Sequence, residues 1–514
     1  MNITQLPFCV LALAPFSPSL ETDTPPVIRA DTLSLNDAVA QLSPNIDIPI
    51  DKSICPDANI AISIKSMADF KPKNISKKTA FLKELTKAAD YIKKGGAATD
   101  LNSKFPRIAQ LIDIPAASPS GAAAAKTSAI EDILSMVDSG TDSGTGSRSG
   151  NQSVISQIDS LHAKILQTIF SNPVFRSMES AWRGAQLLAM QAPSGTIPTV
   201  NLILVPLSDA NCLPVFDQLE TLLADTPPDL IVIDRSLSNS PRSMVELERI
   251  MTFAESMMAP AAVALGPQFF EISDWQELKS VRFIPGLLEG AEYGRWKTLV
   301  EMSGAGWTVP CVDSVMARPL YQPESGFSPR SFSETDPLWI NAPWAIAALC
   351  VRSIAMHRRP TRFADRGSVR LEERPMTAGS EPSPLEMLPG TDRLADFKQA
   401  GIIALAGTKG RDQVFVTADI TMDGGPLRFR LFLSQLINFL IHLSTVKRDE
   451  IENLESDLRT AISLFIQNMG LPEPDDLKVS AKEDTGTFIP LEISFSAASE
   501  ILSGQSSFSF GFNW

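Results

Sequence analysis

Apolar positions along the chain alternate between two rhythms, and their succession defines an α/β protein. Phe8 to Leu13 is a short, almost continuous apolar run and predicts a buried strand. Leu35, Ala38, Val39 and Leu42 fall at helical spacing, Ile60 to Lys65 alternates as a half-buried strand does, and Lys77 to Lys94 is strongly amphipathic. A longer stripe follows from Val154 to Phe170. A second helix carries Phe175, Met178, Trp182, Ala185 and Leu188 on its inward side. Three short apolar runs, Val200 to Val205, Leu230 to Asp234 and Ala261 to Leu265, are separated by helical stretches at Val215 to Ala224 and Ser243 to Met258. Strands that alternate with helices predict βαβ units and a partly parallel sheet. A strand pair is expected at Ile402 to Leu405 and Gln413 to Ala418. A helical region from Leu431 to Met469 is expected to break near Ser444 to Lys447. Two alternating segments end the pattern: Leu491, Ile493, Phe495 and Ala497, then Phe508, Phe510, Phe512 and Trp514.

Composition adds one boundary. Residues 116–152 are dominated by Ala, Ser and Gly, which predicts a flexible linker with at most a short helix near Ile130 to Val137. The predicted organisation is therefore an α/β module at 1–115, the linker at 116–152, and a larger α/β region at 153–514. Gly144, Gly146 and Gly150 do not make a phosphate loop, since no strand precedes them and no Gly-Lys-Ser/Thr follows. With 514 residues, 44% of them hydrophobic, the chain can bury more than one core.

Charge is unevenly spread. The formal net charge of −14 argues against general nucleic-acid binding. Residues 51–110 nevertheless hold twelve Lys/Arg against six Asp/Glu, leaving −20 elsewhere. Complementary contact, within the chain or between copies, is one reading of that imbalance and a solvated helix face is the other. The five cysteines are scattered, with no C-x-x-C, which fits free thiols in a reducing compartment. No stretch is apolar for long enough to cross a membrane. The run Leu6 to Phe16 has no preceding Lys or Arg and is bracketed by Pro7 and Pro15. It reads as a strand rather than a leader, so a cytoplasmic protein without membrane insertion is expected.

Candidate chemistry is sparse. His162, His357 and His442 are far apart in sequence and none stands in a metal-ligand spacing. The seven arginines between Arg352 and Arg374 are interleaved with Asp365, Glu372 and Glu373, which predicts ion pairs rather than a phosphate site. No catalytic residue, cofactor site or metal site is expected. Of the seven tryptophans, Trp182 is expected in a core with Phe175 and Met178, and Trp514 at an interface.

Several motifs resemble the two contractile sheath subunits of type VI secretion systems, joined in one chain. Leu6-Pro7-Phe8-Cys9-Val10-Leu11-Ala12-Leu13-Ala14-Pro15-Phe16, then Met67-Ala68-Asp69-Phe70-Lys71-Pro72, then the basic helix from Lys77 resemble the small subunit. Phe175 through Glu179 to Trp182-Arg183-Gly184, followed by Ala317-Arg318-Pro319 and Leu338-Trp339-Ile340-Asn341-Ala342, resembles the large subunit. The chain departs from the pattern at Leu320-Tyr321-Gln322 and at Ile340. The resemblance implies a contractile-tail-sheath-like α/β fold with mixed sheets flanked by helices, in more than one domain. It implies a structural subunit that assembles helically around an inner tube and exchanges strands with its neighbours. Its partners are then other sheath subunits, with a second sheath protein left open, the tube protein, a baseplate and, in some systems, an unfoldase ATPase. Asp69, Phe70, Trp182, Arg183, Trp339, Phe508, Phe510, Phe512 and Trp514 are the structural and interface candidates. A sheath-related accessory or baseplate component is an alternative reading, and a cytoplasmic α/β enzyme with a dispersed site is another.

Overall fold

The computed structural model describes residues 6–18, 20, 24–31, 34–114, 145–192, 195, 198–323, 329–446, 453–483, 488–502 and 507–514. Its centre is an eight-stranded sheet built from β1 (Phe8–Ala14), β2 (Ile28–Asp31), β5 (Val200–Pro206), β6 (Leu230–Leu237), β7 (Ala261–Leu265), β8 (Thr308–Val312), β11 (Ile403–Gly407) and β12 (Val414–Val416). The order is β12-β11-β8-β7-β6-β1-β5-β2. The six inner strands run parallel. The edge strands β2 and β12 pair antiparallel to their neighbours. Both faces are covered, which is why β1 and β7 read as unbroken apolar runs.

The first strand of the chain lies inside this sheet. β1 pairs with β5 on one side, Val10 opposite Leu202, and with β6 on the other, Val10 opposite Leu230. The sequence pattern divides the chain at 116–152, whereas the sheet takes strands from both sides of that division. Residues 116–144 lie outside the described residues. From Thr145 the chain is helical as far as Ser171, so residues 145–152 belong to the helix expected only from Val154.

Side chains of successive β1 residues enter different cores. Val10 and Ala12 join a core with the helices Thr145–Ser171, Pro173–Met190 and Ala342–His357. The same core takes the hairpin β3 (Asn45–Pro49) and β4 (Asn59–Ser63), and the helices Pro72–Lys78 and Ala80–Lys93. Leu11 and Leu13 join the core on the opposite face, under the helices Pro214–Leu223 and Pro241–Ser256 and the segment from Phe269 to Leu299. A third core lies between the helices Leu427–Val446 and Leu454–Asn468 and a three-stranded antiparallel sheet. That sheet is β13 (Lys478–Ala481), β14 (Pro490–Ser496) and β15 (Ser507–Asn513), with β14 in the middle. The remaining strands β9 (Ser314–Met316) and β10 (Trp339–Asn341) form a two-stranded ribbon. Among the described residues no helix is long and apolar enough to cross a membrane.

Candidate assembly interface

Asp69 and Phe70 lie in a single turn, Met67–Phe70, that fastens the N-terminal helices to the rest. The buried Asp69 carboxylate accepts the Lys65 N–H at 2.9 Å and pairs with Lys78 at 2.6 Å. Burial pushes this carboxyl up, but the Lys78 and Lys65 contacts together outweigh it and hold the pKa below the usual range. Phe70 is fully buried, 5.9 Å from the Phe175 ring. The turn thus joins the large-subunit-like helix by an aromatic contact.

That helix is set by its first residues. Asn172 caps it, its side-chain oxygen accepting the Phe175 N–H at 3.0 Å, and Pro173 occupies the first turn. Each residue of Trp182-Arg183-Gly184 then has a separate task. Trp182 is fully buried, its ring 4.8 Å from that of Phe16, and its indole N–H donates to the Phe16 carbonyl at 3.0 Å. Gly184 faces the Trp344 ring so closely that a Cβ would lie 2.5 Å from it. Arg183 bonds Glu179 at 3.2–3.3 Å and Gln186 at 3.0 Å. Glu179, one turn earlier, is in turn the bidentate partner of Arg318 at 2.7 and 2.9 Å. Glu334 grips the other side of the Arg318 guanidinium at 2.6 and 3.0 Å. The Cζ of that group lies 3.9 Å from the centroid of the Tyr321 ring. Burial opposes the charge of Arg318, and the two carboxylates more than offset it. Two motifs 139 residues apart therefore meet in one buried ion cluster. Glu179, Arg318 and Glu334 are its centre, and none was among the residues singled out as site candidates. The four-residue step from Glu179 to Arg183 is the one sequence signal of it.

Trp339 is half-buried in β10, and its carbonyl accepts the Ser180 hydroxyl at 2.6 Å. It borders a crevice of about 490 Å³ at the carboxyl ends of β1, β5 and β6, with Arg176, Asp209, Asp234 and Arg235. Ligands of open parallel sheets bind at such a place. Here the charged groups already have protein partners, Asp234 accepting from the Asn341 amide at 2.7 Å. Arg235 pairs with Asp209 and Glu246, each at 2.6 Å, and Arg176 donates to the carbonyls of Phe170, Asp336 and Pro337. The histidines stay apart: His162 is buried against Ser76 at 2.9 Å, His357 bonds Ser368 at 3.0 Å, and His442 lines a separate cavity. Among the described residues no group of three or more His, Cys, Asp or Glu is placed to hold a metal.

The terminal aromatics share one face of β15, as their alternation predicts, but that face packs on the chain's own third core. Phe508 lies 5.1 Å from Phe429 and 4.6 Å from Phe495. Phe510 and Phe512 are half-buried, and Trp514 is 5% exposed, its backbone exchanging two 2.9 Å bonds with Ile489. Such a strand can be covered by the chain's own core or by a neighbouring subunit, and within this chain its rings lie against the third core. What β15 leaves open, among the described residues, is its outer main-chain edge.

Two family models match the chain. Residues 1–111 match the type VI secretion system VipA model, and residues 223–422 match the VipB model, an EvpB-type tail sheath N-terminal domain. Together they cover more than half of the sequence. Two solved structures are similar at a low level. One is the sheath tail protein Lin1278 from Listeria innocua, with 11% identity, TM-score 0.33 and 61% of each chain covered. The other is the anti-feeding prophage helical sheath in its contracted state, with 11% identity, TM-score 0.34 and 64% of this chain and 77% of that one covered. The chain thus spans less than two thirds of the length of the first. No curated protein sequence matches it.

Proposed function

The chain belongs to the type VI secretion sheath proteins, with a VipA-type and a VipB-type region in one polypeptide, and we propose that it is by itself a complete contractile-sheath protomer. The observation that carries this reading is the pairing of β1 with β6. β1 belongs to the VipA-type region and β6 to the VipB-type region, and they are hydrogen-bonded neighbours at the centre of one sheet. The two regions are one folded unit rather than two tethered partners, so a second sheath protein is not needed to complete the fold.

Assembly follows from the third core. The sheet β13-β14-β15 has two open edges among the described residues, and an extended segment of a neighbouring copy adds to such an edge through main-chain bonds. Repeated head to tail, that contact gives an open helical array around an inner tube. Contraction then moves subunits while the strand connections hold, with the energy stored in the packing of the extended state. A baseplate and a recycling ATPase complete the proposed partners, and the cytoplasm is the proposed site of assembly.

Electron microscopy of the purified chain tests this. Helical tubes formed by the chain alone are expected. Tubes that form only when another sheath protein is added defeat the single-protomer reading. Small discrete particles favour an accessory role, and a monomer with catalytic turnover removes the sheath reading altogether.

A further inference from the structure

A cavity of about 320 Å³ lies at the opposite end of the central sheet from the Trp339 crevice. It sits at the amino ends of β1, β5 and β6, where the sheet meets the helices Leu427–Val446 and Leu454–Asn468. Small-molecule sites run from about 300 to 1,000 Å³, so this one suits a molecule of amino-acid size. Its apolar lining includes Leu6, Pro7, Phe465 and Met469. Gln435, Asn438 and His442 recur at helical spacing, so a polar stripe of one helix fronts the cavity.

Most polar groups of this lining lack the protein partners found in the Trp339 crevice. Asp229 and Asn438 are satisfied, the carboxylate accepting the Cys9 N–H at 2.7 Å and the Asn438 amide at 2.8 Å. The Gln435 Oε1 is buried and has no hydrogen-bond partner, a state that costs free energy until a donor reaches it. Arg29 and Arg358 have no ion-pair partner among the described residues, and the Arg29 guanidinium reaches only the Thr226 hydroxyl, at 3.4 Å. A guanidinium fork without a carboxylate is a ready receptor for one.

The charges of the lining leave room for a single anion. Arg29 and Arg358 stand against Asp225 and Asp229. Burial raises the Asp229 carboxyl to about 7, so below that pH it is mostly neutral and the two arginines exceed Asp225 by one charge. Burial also lifts the Cys9 thiol to about 12, so it adds no negative charge, and protonation of His442 only adds to the excess.

We propose that this cavity binds a monocarboxylate bearing an amide and an apolar side group, the chemistry shared by an N-acylated amino acid and the C-terminal residue of a peptide. The carboxylate meets Arg29 and Arg358, the amide supplies the donor that Gln435 lacks, and the apolar group packs on Phe465 and Met469. A ligand held there bridges the central sheet to the helices of the third core. The site does not depend on the sheath reading.

Isothermal titration calorimetry of the full chain at pH 6 with N-acetyl-L-phenylalanine tests it. Saturable binding at one site per chain is expected. N-acetyl-L-phenylalaninamide, which lacks the carboxylate, is expected to bind at least tenfold more weakly. The same loss is expected for the acid with Arg29→Gln/Arg358→Gln. Both arginines are exposed, and circular dichroism checks that the variant folds. A pentapeptide ending in phenylalanine separates the two sources: tighter binding than the acetylated amino acid assigns the site to a chain terminus, and weaker binding assigns it to a free small molecule. Absence of saturable binding at millimolar acid, equal affinity for acid and amide, or a double variant that binds as the wild type does overturns the proposal.

Discussion

Trp182→Ala isolates the contact that binds the two regions of the chain. The indole is fully buried and meets Phe16, which follows directly on β1 and Pro15. Truncating a large aromatic in a core costs roughly 3–5 kcal/mol, through lost transfer energy and the cavity left behind. Trp182 also donates its N–H to the Phe16 carbonyl, and leaving a buried acceptor without a donor costs about 1–3 kcal/mol. Trp182→Phe separates the two effects, since it retains most of the ring contact and removes the donor. Expected losses are about 3–5 kcal/mol for the alanine variant and about 1–3 kcal/mol for phenylalanine. Urea denaturation gives the first unfolding midpoint, and amide exchange of residues 8–14 shows whether β1 is the element released. An alanine variant within about 1 kcal/mol of wild type, or unchanged protection of β1, refutes the reasoning.

Three further outcomes follow from the same geometry. Arg318→Ala strands Glu179 and Glu334 in the interior and is expected to cost about 3–5 kcal/mol by denaturant titration, far more than removal of an exposed arginine such as Arg366. Gly184→Ala drives a methyl group into the Trp344 ring and is expected to lower stability by about 1–3 kcal/mol, read as a lower melting temperature. Two buried groups give opposite pH slopes. Burial holds His162 at about 4, so its neutral form contributes stability above pH 6.5 that is lost as pH falls toward 4; His162→Gln should flatten that loss. Burial raises Asp229 to about 7, against the Cys9 N–H and Asn438 contacts. Its share of stability therefore falls as pH rises from 3.8 toward 7, and Asp229→Asn should remove that decline. Melting temperatures across pH 4–8 for both variants check the signs.

The elements most legible in the sequence were those with one face in a core and one in water. The helix Ala80–Lys93 and the alternation of β15 are of this kind, because burial on one side imposes a period. Strands buried on both faces, such as β1 and β7, showed as short apolar runs, but a helix buried all round left no signal. The helix Ala342–His357 is apolar on nearly every side and shows no stripe, although it is central to the first core. β8 was missed because Pro310 argues against an inner strand, yet Pro310 pairs opposite Val263 in the parallel sheet. Helix length near the linker was misjudged because Gly146 and Gly150 are poor helix formers. Of the candidate residues, Trp182 was legible as a core anchor from size and spacing, and Phe70 only through the motif that carries the resemblance. The Arg318 cluster was not, because Glu179 lies 139 positions and Glu334 lies 16 positions from the arginine they share. Trp514 pointed to an interface by its position, whereas its burial comes from a fold-back of β15 on β14 that alternation alone cannot distinguish from an exchanged strand.

The central seat of β1 bears on how the chain is made. During synthesis β1 emerges well before its partners β5 and β6, and the Cys9–Asp229 hydrogen bond spans 220 residues. Such distant pairings carry a large loop-closure cost and form late. Until then an apolar seven-residue strand waits without a sheet, open to aggregation or to capture by a chaperone. Joining the two regions in one polypeptide keeps that strand at high effective concentration beside its own partners, where separate chains would have to find each other by diffusion.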